Sequence, residues 1–336
     1  APTGDTVKHF LFHSSPLPEG CSWHDNAVEI IATEKRGRES MSFTGEQLAQ
    51  YEADGAVTID TPFTDAELDR AEDAWDRLQA SGEAAYTDPD YVDVIEHPFF
   101  EEVAKKVLRA DGVHLWWGLA PHARAPSAAP YGSIRDQWAG GCHTDIQATL
   151  EDFDATPRRM RAALWFWLND VPVNRGAMRI LPGSHRPIME YWGNVLTPEH
   201  KRMLPRVHGL RPPPVSEKAP AYPEHVPDLQ DTPWIEQEPT PFVAKRGQLL
   251  ILCSSALHSA WQNEDTVPRK AMGNSWIPNG VPCGMPANQR EGVMDFFPQL
   301  RAKLRADRKH IVPEDFDWLF ESGYEPKWPE TFLEQA

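Results

Sequence analysis

The chain has 336 residues, with 33 Lys+Arg against 50 Asp+Glu and a formal net charge of -17. That length can bury one substantial core, and the charge argues against a nucleic-acid or anionic-membrane partner, since phosphate binding is driven largely by basic residues. No run approaches the roughly 20 apolar residues of a membrane helix. The first residues hold no apolar export core, and Cys21, Cys142, Cys253 and Cys283 form no CxxC pair, which suits a reducing, cytoplasmic setting.

Residues 1–42 show no clear period and read as an irregular extension, and 43–336 read as one domain. Thr44 with Gln47 and Thr64 with Glu67 are capping-box pairs, each opening a helical pattern. The second helix puts Leu68, Ala71, Trp75 and Leu78 on one face, the stripe of a helix laid on something apolar. Between them Gly55 stops the first helix, and Ala56 to Asp60 reads as a strand. A further helix is expected over Phe99 to Arg109 and a strand near Val113 to Leu119.

From there the texture turns to strands, expected at Gly141 to Leu150, Ala162 to Leu168, Ala177 to Leu181, Gln248 to Cys253 and Lys270 to Ile277. They are short, apolar or aromatic, and bounded by Gly, Pro, Asn or Asp. Helices first and strands afterwards point to a mainly β domain, a sandwich or barrel with helices packed outside. Residues 198–241 break the pattern, holding 11 of the 32 prolines. A loop of that length in a compact domain is either functional or disordered. As a lid it would bring Tyr222, His225 or Trp234 to a substrate. The basic stretch Gln299 to His310 reads as a solvated helix.

His143-Thr144-Asp145 lies inside an expected strand, whose alternate residues share one face and can converge on one ion. Alone the pair is weak, because 13 His and 50 acidic residues in 336 give about two such pairs by chance. His258 follows the strand Gln248 to Cys253. Two histidines and a carboxylate make the facial triad that leaves three positions of an Fe(II) octahedron open. Arg269 returns from the turn after His258 on the next strand, where a guanidinium can hold a carboxylate bidentately. Ala271, Gly273 and Ser275 share its face and are small, which leaves room for a bound molecule.

His143-Thr-Asp145, the run Asn174-Arg-Gly176 to Pro182-Gly-Ser-His185, and Gly247-Gln-Leu-Leu-Ile-Leu through His258 to Arg269 together resemble the phytanoyl-CoA dioxygenase family. The opening Phe43-Thr-Gly-Glu-Gln-Leu to Gly55-Ala-Val-Thr-Ile is similar to the family's usual start. The resemblance covers roughly residues 43 to 280. It implies a single oxygenase domain on a double-stranded β-helix (a jelly-roll, cupin-like barrel) that uses Fe(II), 2-oxoglutarate and O2. By the same resemblance His143, Asp145 and His258 are iron ligands and Arg269 clamps the co-substrate. Trp165 either lines the co-substrate pocket or is plain core.

The chain departs from the family at Gln248, where aspartate is usual, at Ala260, where some members carry serine, and at Leu115 to Pro121, which lacks a lysine that some members use. Family-like halogenases replace the carboxylate that stands here as Asp145, so hydroxylation or a related C–H oxidation of a small organic substrate is the expected reaction, releasing succinate and CO2. A CoA ester would ask for basic surface such as Arg158, Arg159 and Arg161, though a solvated turn explains these equally. Two other readings stay open: a metal-binding but silent barrel acting as a binding module, and a cupin-like metalloenzyme that uses no 2-oxoglutarate. No feature specifies an oligomeric state.

Overall fold

The computed structural model describes residues 43–117, 121–127, 138, 141–146, 148–195, 237–281 and 287–314. The expectations for residues 1–42, for Cys21 and Cys283, and for Tyr222, His225 and Trp234 of the proline-rich stretch lie outside the described residues.

Both capping boxes form. Thr44 caps α1 (Gly45–Asp54), its hydroxyl accepting from the Gln47 N–H while the Gln47 side chain accepts from the Thr44 N–H. Thr64 and Glu67 do the same for α2 (Asp65–Ser81), so the first turn's orphan donors are satisfied locally. Gly55 ends α1 in the left-handed region at φ 77°, where a side chain would be strained, and β1 (Ala56–Asp60) follows at once. Two helices then come in series, α3 (Pro89–Ile95) and α4 (Pro98–Leu108), each with proline in its first turn. Sequence reading found only the second.

The remaining elements are β2 (Val113–Trp117), β3 (Pro121–Arg124), α5 (Leu150–Asp154), β4 (Ala162–Trp167), β5 (Met178–Ile180), α6 (His185–Val195), β6 (Thr240–Phe242), β7 (Gln248–Cys253), β8 (His258–Ser259), β9 (Arg269–Pro278) and α7 (Ala287–Lys303). Six strands make the larger sheet in the order β1-β7-β4-β9-β2, with β3 also on β9. The ten-residue β9 carries β2 on its C-terminal half and β3 on its N-terminal half. The smaller sheet is β6-β5-β8. All ladders are antiparallel.

Helices cover one face of the larger sheet. Leu68, Ala71, Ala74, Trp75 and Leu78 of α2 are buried, and the Trp75 indole donates to the Ala271 carbonyl at 3.0 Å. Lys270 reaches outward from β9 to Glu72 at 2.9 Å and Asp76 at 2.7 Å on the same helix. Phe166 of β4 meets Phe63 and Phe100 at 4.8 and 5.5 Å between ring centroids. With both its faces covered, β7 is buried from Leu249 to Cys253, as a central strand with a continuous apolar run should be.

Two sequence expectations fail. Gly141 to Leu150 is not a strand: its described residues make only isolated bridges, among them His143 to His258, bend at Asp145, and run into α5, which Thr149 caps. The basic helix expected over Gln299 to His310 ends at Lys303 and is not simply solvated. Arg308 is buried and pairs with Glu101 at 2.6 Å, because burying a guanidinium demands a partner. No described helix is long and apolar enough to cross a membrane.

Candidate metal centre

The larger sheet's other face carries the candidate site. Antiparallel partners point to the same side, so the register of β4 with β9 sets Trp165 beside Gly273 and Trp167 beside Ala271. Arg161, just before β4, and Arg269, at the start of β9, continue the same alternation. β3 adds His122 opposite Ala271 and Arg124 opposite Arg269.

His143, Asp145 and His258 come together, each offering a ligand atom, all within 4.8 Å of one another. The chain leaves the larger sheet after Cys253 and enters the smaller one at His258, which pairs with Ile180. His143 is brought beside it by two backbone bonds, His143 N to His258 O at 2.8 Å and the reverse at 2.9 Å. Asp145 is placed by Ser254, whose carbonyl accepts from the N–H groups of Asp145 and Ile146 at 2.7 and 3.2 Å. Convergence therefore rests on a bridge and a turn, not on strand alternation.

Each histidine points a free nitrogen inward. The Nδ1 of His143 faces the Gly141 carbonyl and that of His258 faces the Ala256 carbonyl, both at 2.9 Å. A carbonyl can only accept, so each Nδ1 carries a proton, and in the neutral imidazole that tautomer presents the Nε2 lone pair to the site. Both Nε2 atoms approach Asp145 Oδ1, at 3.7 and 3.6 Å. Burial holds His258 well below the usual histidine range, at about 4, outweighing the pull of Asp145. Burial alone would raise the Asp145 carboxyl, but Arg161, with His258 and His143, brings it down to about 2. A neutral imidazole and an ionised carboxylate are the forms that bind metal.

Arg269 is 2% exposed. One Nη donates to the Gly176 carbonyl at 2.5 Å, and the guanidinium sits 5.4 Å from the Trp167 ring centroid. Its Nε has no partner, and no carboxylate pairs with it among the described residues. Burial depresses its pKa to about 10, and Arg124 adds to the effect. Gly176, at φ 66°, leaves no space for a Cβ, which would lie 3.0 Å from Arg124 Cγ and 3.1 Å from the Trp261 carbonyl.

Trp165 is partly buried, stacks at 6.4 Å on Trp167 and meets His122 edge-on at 4.9 Å. The room expected beside Gly273 is taken by that indole, since a Cβ there would lie 3.1 Å from it. Gln248, the first residue of β7, closes the turn before it, its side chain accepting from the Lys245 N–H and donating to Asp60.

Sequence reading missed Arg161 as a partner of Asp145, and grouped it with Arg158 and Arg159 as basic surface or solvated turn. The three part company. Arg158 is fully buried on Glu52, Arg159 binds Glu151 at the surface, and Arg161 is held on Asp145 Oδ2. Only the alternation Arg161, Ala163, Trp165, Trp167 hinted that Arg161 faces the site.

No curated protein matches the sequence. Among solved structures, the chain is similar to the non-heme alpha ketoglutarate dependent carbocyclase SnoK from nogalamycin biosynthesis, with 18% identity over 70% of this chain and 84% of that one and a TM-score of 0.46. It is similar to EctD from S. alaskensis with bound Fe, at 12% identity over 74% and 82% and a TM-score of 0.48. HygX from Streptomyces hygroscopicus, with nickel and 2-oxoglutarate bound, is 13% identical over 70% and 87%, with a TM-score of 0.42. The model of the phytanoyl-CoA dioxygenase (PhyH) family matches residues 51–271, well over half of the chain and across every residue of the candidate centre. The chain belongs to the phytanoyl-CoA dioxygenase family.

Proposed function

We propose that this protein is a non-heme Fe(II)- and 2-oxoglutarate-dependent dioxygenase that oxidises a C–H bond of a small organic substrate, with hydroxylation as the leading reaction. The domain is 43–336, and its two antiparallel sheets, joined where β7 runs into β8, are read as a double-stranded β-helix. His143, Asp145 and His258 would hold the iron. Two imidazoles and one carboxylate form the donor set that favours Fe(II) and leaves positions open.

The observation that carries the reading is Arg269. A guanidinium this buried, with an orphaned Nε and no carboxylate, is costly unless a ligand completes it. A dicarboxylate co-substrate supplies the missing anion, and Arg269 would hold its distal carboxylate. Trp165 and Trp167 line the strand face between Arg161 and Arg269, where they orient the co-substrate and keep water out. Bound iron and 2-oxoglutarate would supply the O2-dependent oxidising chemistry, with succinate and CO2 as by-products.

The test is anaerobic titration of the protein with Fe(II) and then 2-oxoglutarate, following the weak visible charge-transfer absorption of the chelate. Appearance of the band, and succinate release once air is admitted, are the expected results. Iron binding without the band would favour the cupin-like reading, and a band without succinate the silent barrel.

A further inference from the structure

Asp145 divides its two oxygens between different partners. Oδ1 faces both histidine Nε2 atoms, at 3.7 and 3.6 Å. Oδ2 is taken by Arg161 Nη2. Arg161 is itself fixed: its Nε donates to Ser254 Oγ at 3.0 Å, and its guanidinium lies 4.8 Å from the ring centroid of buried Trp116. The Ser254 carbonyl meanwhile holds the Asp145 backbone. One serine therefore fixes both the carboxylate and the cation that grips it.

We propose that Arg161 is a positioning residue that keeps Asp145 to a single metal-facing oxygen. The proposal rests on the metal reading above. A carboxylate can bind a metal through one oxygen or both, and a second oxygen would occupy one of the three positions the triad leaves open. A bidentate co-substrate needs two of those positions, and the last must stay free for a small molecule. A charge-assisted bond to Oδ2, made by a side chain held from two other directions, prevents the carboxylate from rotating both oxygens inward. The bland alternative is a latch that ties β4 to the 143–146 segment and does nothing to the metal.

The two roles separate in an experiment with Mn(II) and 2-oxoglutarate in anaerobic buffer, reading metal affinity and the relaxation of water protons by bound Mn(II). In the unaltered protein the Mn(II)–2-oxoglutarate complex should retain an exchangeable water. Arg161→Met should bind Mn(II) at least as tightly, because a nearby cation is gone and an oxygen is freed, yet lose that water signal. Arg161→Lys, which keeps a cation on Oδ2, should restore it. An Arg161→Met protein with the water signal intact overturns the proposal, as does one whose Mn(II) affinity and thermal stability fall together. If Arg161→Met does not fold, Ser254→Ala, which removes the acceptor for Arg161 Nε, is read in the same way. Failure of the unaltered protein to bind Mn(II) would overturn the metal reading itself, a result distinct from an unchanged variant.

Discussion

Two buried arginines in this molecule face opposite situations. Arg158, fully buried, donates Nε to the Phe153 carbonyl at 2.8 Å, one Nη to the Val107 carbonyl at 2.8 Å and the other to Glu52 at 2.6 Å, with its plane 4.0 Å from the Phe153 ring centroid. Arg269, nearly as buried, makes one bond to a carbonyl, leaves its Nε unpaired and stands across the β3–β9 ladder from another arginine. On the helical side the cations have carboxylates: Arg308 has Glu101, and Lys270 has Glu72 and Asp76. On the site face Arg161 has Asp145, but Arg269 has no carboxylate among the described residues. A guanidinium costs several kcal/mol to bury unpaired, so the deficit at Arg269 marks where a ligand belongs, whereas Arg158 and Arg308 tie elements of the fold together.

The largest effect that would sharpen this contrast is at the triad. Asp145→Ala and His258→Ala are expected to reduce iron-dependent succinate formation to background while the circular-dichroism spectrum stays that of the parent, and Asp145→Ala, which leaves Arg161 without its carboxylate, should also lower the melting temperature. Each removes a donor atom that faces the proposed metal position. Near-normal turnover in either variant would dissolve the assignment.

Next comes Arg269→Gln. Losing one partner of a buried charged pair costs ~3–5 kcal/mol, and about 1.4 kcal/mol is tenfold in affinity. The apparent dissociation constant for 2-oxoglutarate should therefore rise by about two to three decades in an anaerobic titration. Removing an unpaired buried charge should leave the free protein within about 1 kcal/mol of the parent. If 2-oxoglutarate binds unchanged, Arg269 has no part in holding it.

Arg158→Gln should behave the other way round. It strands the Phe153 and Val107 carbonyls and removes one of the two arginines on Glu52, whose other partner is Arg109 at 2.8 Å. Urea unfolding is expected to show a loss of ~3 kcal/mol with 2-oxoglutarate affinity retained. A loss confined to ligand binding would erase the distinction between the two arginines.

Much of this was legible because it is local. The capping boxes at Thr44 and Thr64, the stop at Gly55 and the apolar run of β7 are written in neighbouring residues, and the structure has them where the sequence puts them. The Asp88-Pro89 start of α3, with Asp88 capping and proline in the first turn, was equally local and was passed over. So was Thr149 with Asp152, a capping box that opens α5 and contradicts a strand through Leu150. Short β3 begins with proline and, among the described residues, pairs with β9 alone, the edge position in which proline is tolerated, and its four residues carry too little period to be seen. The triad residues were found by type and order. Arg161 and Ser254 were not, because nothing near Arg161 in sequence says that Asp145 is its partner and Ser254 its acceptor.

The smallest effect tests whether Trp165 belongs to the site or to the core. Gly273 has no positive φ, so alanine there meets no backbone strain, but its Cβ would sit 3.1, 3.3 and 3.4 Å from three atoms of the Trp165 ring. The ring must therefore give by a few tenths of an ångström. It is only partly buried, and besides Trp167, on which it stacks, it meets the exposed His122, so it can move outward without disturbing β7 or the helical face. Small-to-large changes in well-packed cores cost ~1–3 kcal/mol, and the yielding neighbour puts Gly273→Ala at about 1 kcal/mol or below. If Trp165 lines the co-substrate pocket, that small displacement should still raise the KM for 2-oxoglutarate by several-fold while leaving iron affinity alone. Unchanged kinetics, together with a loss of stability well above this range, would return Trp165 to the core and leave Arg269 to bind the co-substrate without it.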